Sequence, residues 1–268
     1  MQISLADLDP RVIAQSGQCF RMTLLPDGSV RAQTGDHVLY VDLNAPETCV
    51  FRCTQEDFDG VWQPYFDLTA DYAALAARIP ADEAFLRAAA DNSRGLRILR
   101  QAPFETLISF ILSQRKSIPA IRGCVEALCT RYGQALADGL YGFPAPAALA
   151  AADEADLRAC GLGYRAPYVS AAARMIDSGA LSLENIAALP DEGLLQALLN
   201  VPGVGVKVAG CVMLFAYHRL AAAPVDVWIQ KVIEEEYGGE SPFPRWGADA
   251  GVYQQYLFYY RQHVVRKR

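Results

Sequence analysis

A chain of 268 residues, 52% of them hydrophobic, can bury a sizeable core as one large domain or two or three small ones. No apolar run approaches the roughly 20 residues of a membrane span. The acidic start, residues 1–10, lacks the basic-then-apolar layout of a signal peptide, so a soluble intracellular protein is expected, cytoplasmic in a bacterium and nuclear in a eukaryote. The formal net charge of −6 weighs mildly against nucleic acid as a partner, although a local basic face can bind phosphate on an acidic protein. The seven cysteines are odd in number and show no paired metal spacing and no four-cysteine cluster. Buried thiols are therefore expected, with no disulfide, metal, iron–sulfur centre or other cofactor.

Residues 16–53 read as an antiparallel meander. Strands are expected at Cys19–Leu25, Val30–Gln33, His37–Leu43 and Thr48–Cys53, with turn signals at Pro26-Asp-Gly28, Thr34-Gly-Asp36 and Asn44-Ala-Pro46. From about Tyr72 onward alanine-rich amphipathic segments predict helices at 71–79, 82–91, 103–114, 117–132, 154–160, 166–178, 190–199, 206–218, 227–237 and 245–265. Pro103, Pro167 and Pro190 suit first-turn positions, where the missing N–H costs nothing. The Gly-, Pro- and Ala-rich loop 139–147 is the best boundary within the helical part, and no internal repeat occurs. The expected fold class is α+β. A small N-terminal antiparallel β domain (1–70, with part of the helical core) precedes a larger all-helical body (71–268) containing a helix–hairpin–helix at about 190–218.

That hairpin carries the chemistry. In Val201-Pro-Gly-Val-Gly-Val-Lys207, Gly203 and Gly205 can take positive φ and let the backbone approach a ligand closely. The turn amides and the following helix N-terminus, at Val206, can hold a DNA phosphate without reading sequence. Lys207 enters an almost wholly apolar helix, where both surroundings and helix N-terminus disfavour the ammonium and free the amine for attack. Asp226, nineteen positions later (226 minus 207), opens the next helix. Alone, each residue has an ordinary reading: a glycine-rich connector, a lysine that snorkels to phosphate or solvent, an aspartate N-cap.

Together they resemble the helix–hairpin–helix DNA glycosylase superfamily, and within it the 8-oxoguanine DNA glycosylases. Further segments in the same order carry the resemblance over nearly the whole chain: Ser16-Gly-Gln-Cys-Phe-Arg21, Ile108-Ser-Phe-Ile-Leu-Ser113, Gly161-Leu-Gly-Tyr-Arg-Ala166 and Gly251-Val-Tyr-Gln-Gln-Tyr-Leu-Phe258. The resemblance implies a bifunctional glycosylase and AP lyase that acts as a monomer on double-stranded DNA containing a damaged base, with no membrane and no cofactor. It implies Lys207 as nucleophile and Asp226 as its charged partner. Gly17 would offer its carbonyl to the N7–H that only the oxidised guanine has, Cys211 and Phe258 would sandwich the flipped base, and Gln254 would bond its Watson–Crick edge. DNA contacts are implied at Gly203, Gly205, Val206, Gln114, Arg115, Lys116, Tyr164 and Arg165, with Tyr164 as a wedge and Arg165 against the orphaned cytosine. The chain departs from the family at Arg115 and Lys116, where asparagines are usual, and at Ala120, where an arginine is usual. Two other readings use the same hairpin: a glycosylase for alkylated bases relying on Asp226 and water, and a non-catalytic DNA-binding module. The basic end 264–268 reads as a frayed, solubilising terminus, and Glu234-Glu-Glu236 as a solvated face.

Overall fold

In the computed structural model, which describes residues 1–43, 45 and 47–265, the N-terminal part is a five-stranded antiparallel sheet. Its strands are β1 (Gln2–Ser4), β2 (Met22–Leu24), β3 (Val30–Thr34), β4 (His37–Asp42) and β5 (Thr48–Arg52), in the order β1-β5-β4-β3-β2. Asn44 and Pro46 of the third turn signal, and Arg266–Arg268 of the basic end, lie outside the described residues. In β4 and β5 alternate side chains point inward, Leu39 and Val41 from one strand and Cys49 and Phe51 from the other, with Val41 directly opposite Phe51, as a half-buried sheet requires. Strand β1 is one more than the four expected. Three residues carry no periodicity, and β1 exists because Gln2 and Ile3 pair with Val50 and Cys49 at the sheet edge.

The inner face packs on α1 (Pro10–Gln15) and on a helical run at 55–65, neither of which was expected. Asp9 caps α1 and Pro10 starts it. Phe58 and Phe66 meet Phe51 edge-on, Tyr65 meets Trp62 and Phe66 edge-on, and the cluster fills the sheet core. This run is short and interrupted, so aromatic packing holds it in place more than its own helix propensity does.

The helical body follows: α2 (Tyr72–Ala77), α3 (Ala84–Asn92), α4 (Pro103–Leu112), α5 (Ile118–Tyr132), α6 (Ala166–Asp177), α7 (Asp191–Leu199), α8 (Val206–Phe215), α9 (Val227–Glu236) and α10 (Ala250–His263). Shorter turns lie between them, two of which (Pro146–Ala150 and Leu183–Ala187) carried no sequence signal long enough to read. Helix α4 is buried from Thr106 to Leu112 and packs against α5, α6 and α8, which explains why it is apolar all round. Three boundaries differ from expectation. Helix α8 stops at Phe215, ahead of His218 at φ +53°. The single helix foreseen at 245–265 is broken by Gly247, also at positive φ, into a turn at Phe243–Trp246 and α10. Pro190 is the N-cap of α7 rather than in its first turn. Among the described residues no helix is long and apolar enough to cross a membrane.

Two cores meet at residues 97–101, an irregular segment stitched on both sides. Gln18 spans it: its amide nitrogen donates to Arg97 O (2.9 Å), its amide oxygen accepts from Leu99 N (2.8 Å), and its carbonyl accepts from Gln101 Nε2 (2.7 Å). Gln101 N in turn donates to Phe215 O at the end of α8 (2.9 Å). The Arg97 guanidinium donates to the carbonyls of Asp7, Phe66, Asp67 and Ala70 and lies 4.3 Å over the Tyr72 ring. Each of those carbonyls would be left short of a partner without it, at about 1–3 kcal/mol for a buried one. Arg97→Met should therefore lower stability by about 3 kcal/mol or more in urea unfolding, while a loss below about 1 kcal/mol would contradict the role given to this segment.

Candidate active site

The hairpin turn is built around one obligatory glycine. Gly203 has φ +81°, and a Cβ there would stand 2.5 Å from the Tyr168 ring, so conformation and packing both exclude a side chain. Gly205 differs from expectation: at φ −100° and ψ 179° it is extended, a conformation open to any residue, and it serves as N-cap of α8. A side chain would meet nothing there, and the next residue, Val206, is 70% exposed. The first turn of α8 thus stands open to solvent, with amides that have no partner inside the helix.

Lys207 comes next and turns inward. Its Nζ lies 5.2 Å above the Phe110 ring and donates to Ser113 Oγ at 3.4 Å. Phe110 is itself stacked on Phe215 (5.5 Å, 19°), so the amine rests on a two-ring aromatic platform contributed by α4 and α8. Asp226 caps α9 with one oxygen, Oδ1, accepting from Trp228 N (3.0 Å) and Ile229 N (2.9 Å). Burial pushes this carboxyl above its ordinary value, against the pull of the two amides and of the Lys207 charge. Cys211, one helical turn beyond Lys207, is buried among apolar groups that push its thiol up to about 11. It is an apolar wall in character rather than a reactive thiol.

A cavity of about 1060 Å³ brings these side chains together. Lys207, Asp226, Gly17, Cys211, Gln254 and Phe258, drawn from four separate stretches of sequence, all line it. Gly17 has φ +73°, and a Cβ on it would press against the Phe258 ring at 3.0 Å. Gln254 is buried, and its Nε2 donates to Pro224 O (3.1 Å), two residues before Asp226. Gln114, Arg115 and Lys116 line the mouth. Gln114 also ties α4 to the hairpin by donating to Gly203 O (3.0 Å).

The remaining expected DNA contacts, Gly203, Gly205, Val206, Tyr164 and Arg165, lie outside the cavity lining. Arg165 is buried and turned inward: its guanidinium donates to the carbonyls of Gln114 and Leu162 and stacks 4.3 Å over Tyr164, which is half exposed. Lys116 donates to Gly161 O (2.8 Å). These bonds clasp loop 113–117 to loop 161–165. Arg115, between the anchored residues, is exposed and held at φ +54°. Sequence reasoning passed over Trp228, Lys231 and Gln255, which also line the cavity. The spacing 254, 255, 258, 262 on α10 marks one helix face and was the available signal for Gln255.

The distribution of charge explains how an acidic chain presents a basic face. Arg11, Arg52, Arg78, Arg94, Arg131, Arg158, Arg245 and Arg261 each stand against a carboxylate within 4 Å. Arg115, Lys116, Lys207 and Lys231, all on the cavity, form no such pair among the described residues. Lys231 is instead seated 5.4 Å over the Trp228 ring, while the neighbouring Glu234 and Glu235 take Gln230 and Arg261. These four cations, without a carboxylate partner, are gathered at one opening.

Comparison with known proteins agrees with this arrangement. Residues 1–107 match the family model described as 8-oxoguanine DNA glycosylase, N-terminal domain, and residues 108–242 match HhH-GPD superfamily base excision DNA repair protein. The chain is 28% identical to a probable N-glycosylase/DNA lyase of Methanothermobacter thermautotrophicus, over 96% of this chain and 95% of that one. It is 36% identical to the N-glycosylase/DNA lyase of Saccharomyces cerevisiae over 59% of this chain and 46% of the yeast protein. The structure superposes with a TM-score of 0.90 on the Clostridium acetobutylicum 8-oxoguanine glycosylase/lyase in complex with double-stranded DNA containing cytosine opposite 8-oxoguanine, at 33% identity, covering 96% and 92% of the two chains. With two adjoining family models spanning the sheet, the hairpin and the Lys207–Asp226 cavity, the chain belongs to the HhH-GPD superfamily of base excision DNA repair proteins, in the branch that carries the 8-oxoguanine DNA glycosylase N-terminal domain.

Proposed function

We propose that this chain removes 8-oxoguanine from duplex DNA and then nicks the strand, with Lys207 as the nucleophile of both steps. The observation that carries the reading is the placement of Lys207 Nζ on the Phe110–Phe215 platform in the same cavity as Asp226, Cys211, Phe258, Gln254 and Gly17. The open first turn of α8 receives a backbone phosphate and draws the damaged nucleotide toward Lys207. Extruding the base costs a few kcal/mol, and the gain is a base held between Cys211 and Phe258.

The amine nitrogen attacks C1′ as the N-glycosidic bond breaks, and the departing base keeps the bonding pair and takes up a proton. Loss of one proton from that nitrogen, and opening of the sugar ring as O4′ keeps its bonding pair and takes up a proton, give an iminium between Lys207 and C1′ that retains one N–H. That cation acidifies C2′–H, whose removal expels the 3′ phosphate by β-elimination and leaves a nick. Asp226 Oδ1 is engaged by two backbone amides, so Oδ2 remains to face positive charge developing at the sugar and to take a proton from the amine. The chain works as a monomer in the compartment that holds the DNA. Gly17 and Gln254 hold the oxidised base in the pocket, and Tyr164, half exposed, fills the gap in the duplex.

Two outcomes test this reading. Incubated with a duplex holding 8-oxoguanine, the wild-type chain should release the base and nick the strand, and Lys207→Gln should do neither while still binding DNA. Nicking by Lys207→Gln at the wild-type rate would remove the lysine from the mechanism.

Asp226 must be ionised to act, and burial raises its folded-state pKa above the ordinary 3.8. The carboxylate is therefore lost earlier as pH falls, and the acid limb of single-turnover excision should titrate above 3.8 with unit slope. The same shift means that the folded chain binds this proton more tightly than the unfolded one, so ionised Asp226 costs stability as pH rises through the window between the two values. An acid limb at or below the ordinary value would contradict the role given to Asp226.

A further inference from the structure

Helix α9 turns one ammonium away from the carboxylates within its reach. Val227, Gln230, Lys231 and Glu234 place one face of this helix along the cavity. Glu234 and Glu235 stand three and four residues beyond Lys231, the spacings at which side chains on a helix meet. Both carboxylates are engaged elsewhere: Glu234 accepts from Gln230 Nε2 (2.9 Å), and Glu235 pairs with Arg261 (2.6 Å). Lys231 Nζ lies instead 5.4 Å over the ring of Trp228, one turn back toward Asp226. An aromatic face fixes the position of a cation but offers its three N–H groups no lone pair. Lys231 therefore brings to the cavity a positioned charge whose donors are unspent.

We propose that Lys231, seated on Trp228, grips one phosphate of the damaged strand beside the extruded nucleotide. This rests on the reading above that the damaged nucleotide enters this cavity. Asp226, the group assigned to the sugar, caps the same helix, and Lys231 follows it by five residues (231 minus 226), about 7.5 Å along the axis at the helical rise. The side chain turns back over Trp228, which brings the ammonium to the near side of that interval. Of the three lysines on the cavity, Lys207 is reserved for covalent chemistry and Lys116 donates to Gly161 O, which leaves Lys231 to serve the backbone. The open first turn of α8 supplies the other grip. A strand held at two points turns one nucleotide out of the stack instead of sliding as a whole, and an ammonium on a phosphate does this without reading sequence.

Lys231→Met keeps an apolar stem over Trp228 and removes the charge. Its binding to a duplex holding a tetrahydrofuran abasic-site analogue, followed by fluorescence anisotropy, should weaken about fivefold to tenfold near about 0.1 M salt. The slope of log K against log salt should shrink by about 0.9, the share of one phosphate contact, and Lys231→Arg should restore it. Excision of 8-oxoguanine should fall with the affinity at low enzyme concentration and recover once the enzyme saturates the DNA, because Lys207 and Asp226 are untouched. An unchanged slope in Lys231→Met, or a loss of excision that persists at saturation, would overturn the proposal and leave the excision reading standing. An equal change of slope on an undamaged duplex, which extrudes no nucleotide, would also overturn it by assigning Lys231 to the general field of this face. Should the wild-type chain bind the analogue but release no 8-oxoguanine, the excision reading falls, and the salt slope on the analogue still decides the grip.

Discussion

The site depends on a constraint that lies outside it: the hydrogen-bonded segment 97–101, which locks the sheet core to the helical core. Gln18 bonds to that segment three times, and Gln101 passes the connection to Phe215 at the end of α8. The residue before Gln18 is Gly17, a wall of the cavity, and α8 carries Lys207 and Cys211. The two sides of the cavity are thereby held in register through buried polar bonds, which have directions where apolar packing alone would let the bodies slide. Arg97, binding four carbonyls around the same junction, fixes the chain entering it.

Electrostatics is arranged by subtraction. The net charge is −6, and most exposed arginines are neutralised where they stand, so their fields cancel within a few ångströms. Four cations without a carboxylate partner among the described residues stand around one opening, beside the open first turn of α8. Within the cavity the logic reverses: burial of Asp226 and Cys211 disfavours charge on both, Lys207 favours it on both, and the carboxylate is held by two backbone amides besides.

Much of this was legible in the sequence because the motifs are local. The Pro-Gly-Val-Gly turn, the lysine after it and the aspartate cap are set by backbone chemistry over a few residues, and the structure places them as a turn, a first helical turn and an N-cap. Features that depend on distant partners were not legible. Strand β1 exists only by pairing with β5, and the helical run at 55–65 is held by aromatic packing against Phe51. Gly205 has the residue type for a left-handed turn but not the conformation, since Gly203 alone reverses the chain. Arg165 is implied as a DNA contact by the resemblance, and its bonds to the carbonyls of Gln114 and Leu162 follow from the fold.

The central claim is that one amine, Lys207, forms the covalent bond to the sugar. The chain contains only four lysines, at 116, 207, 231 and 267, so the bond can be located without ambiguity. Borohydride reduction of the wild-type chain reacting with an 8-oxoguanine duplex, followed by digestion and peptide mass analysis, should place the sugar adduct on the peptide bearing Lys207. An adduct on another lysine or on the N-terminal amine, or base release and nicking with no adduct at all, would contradict the account.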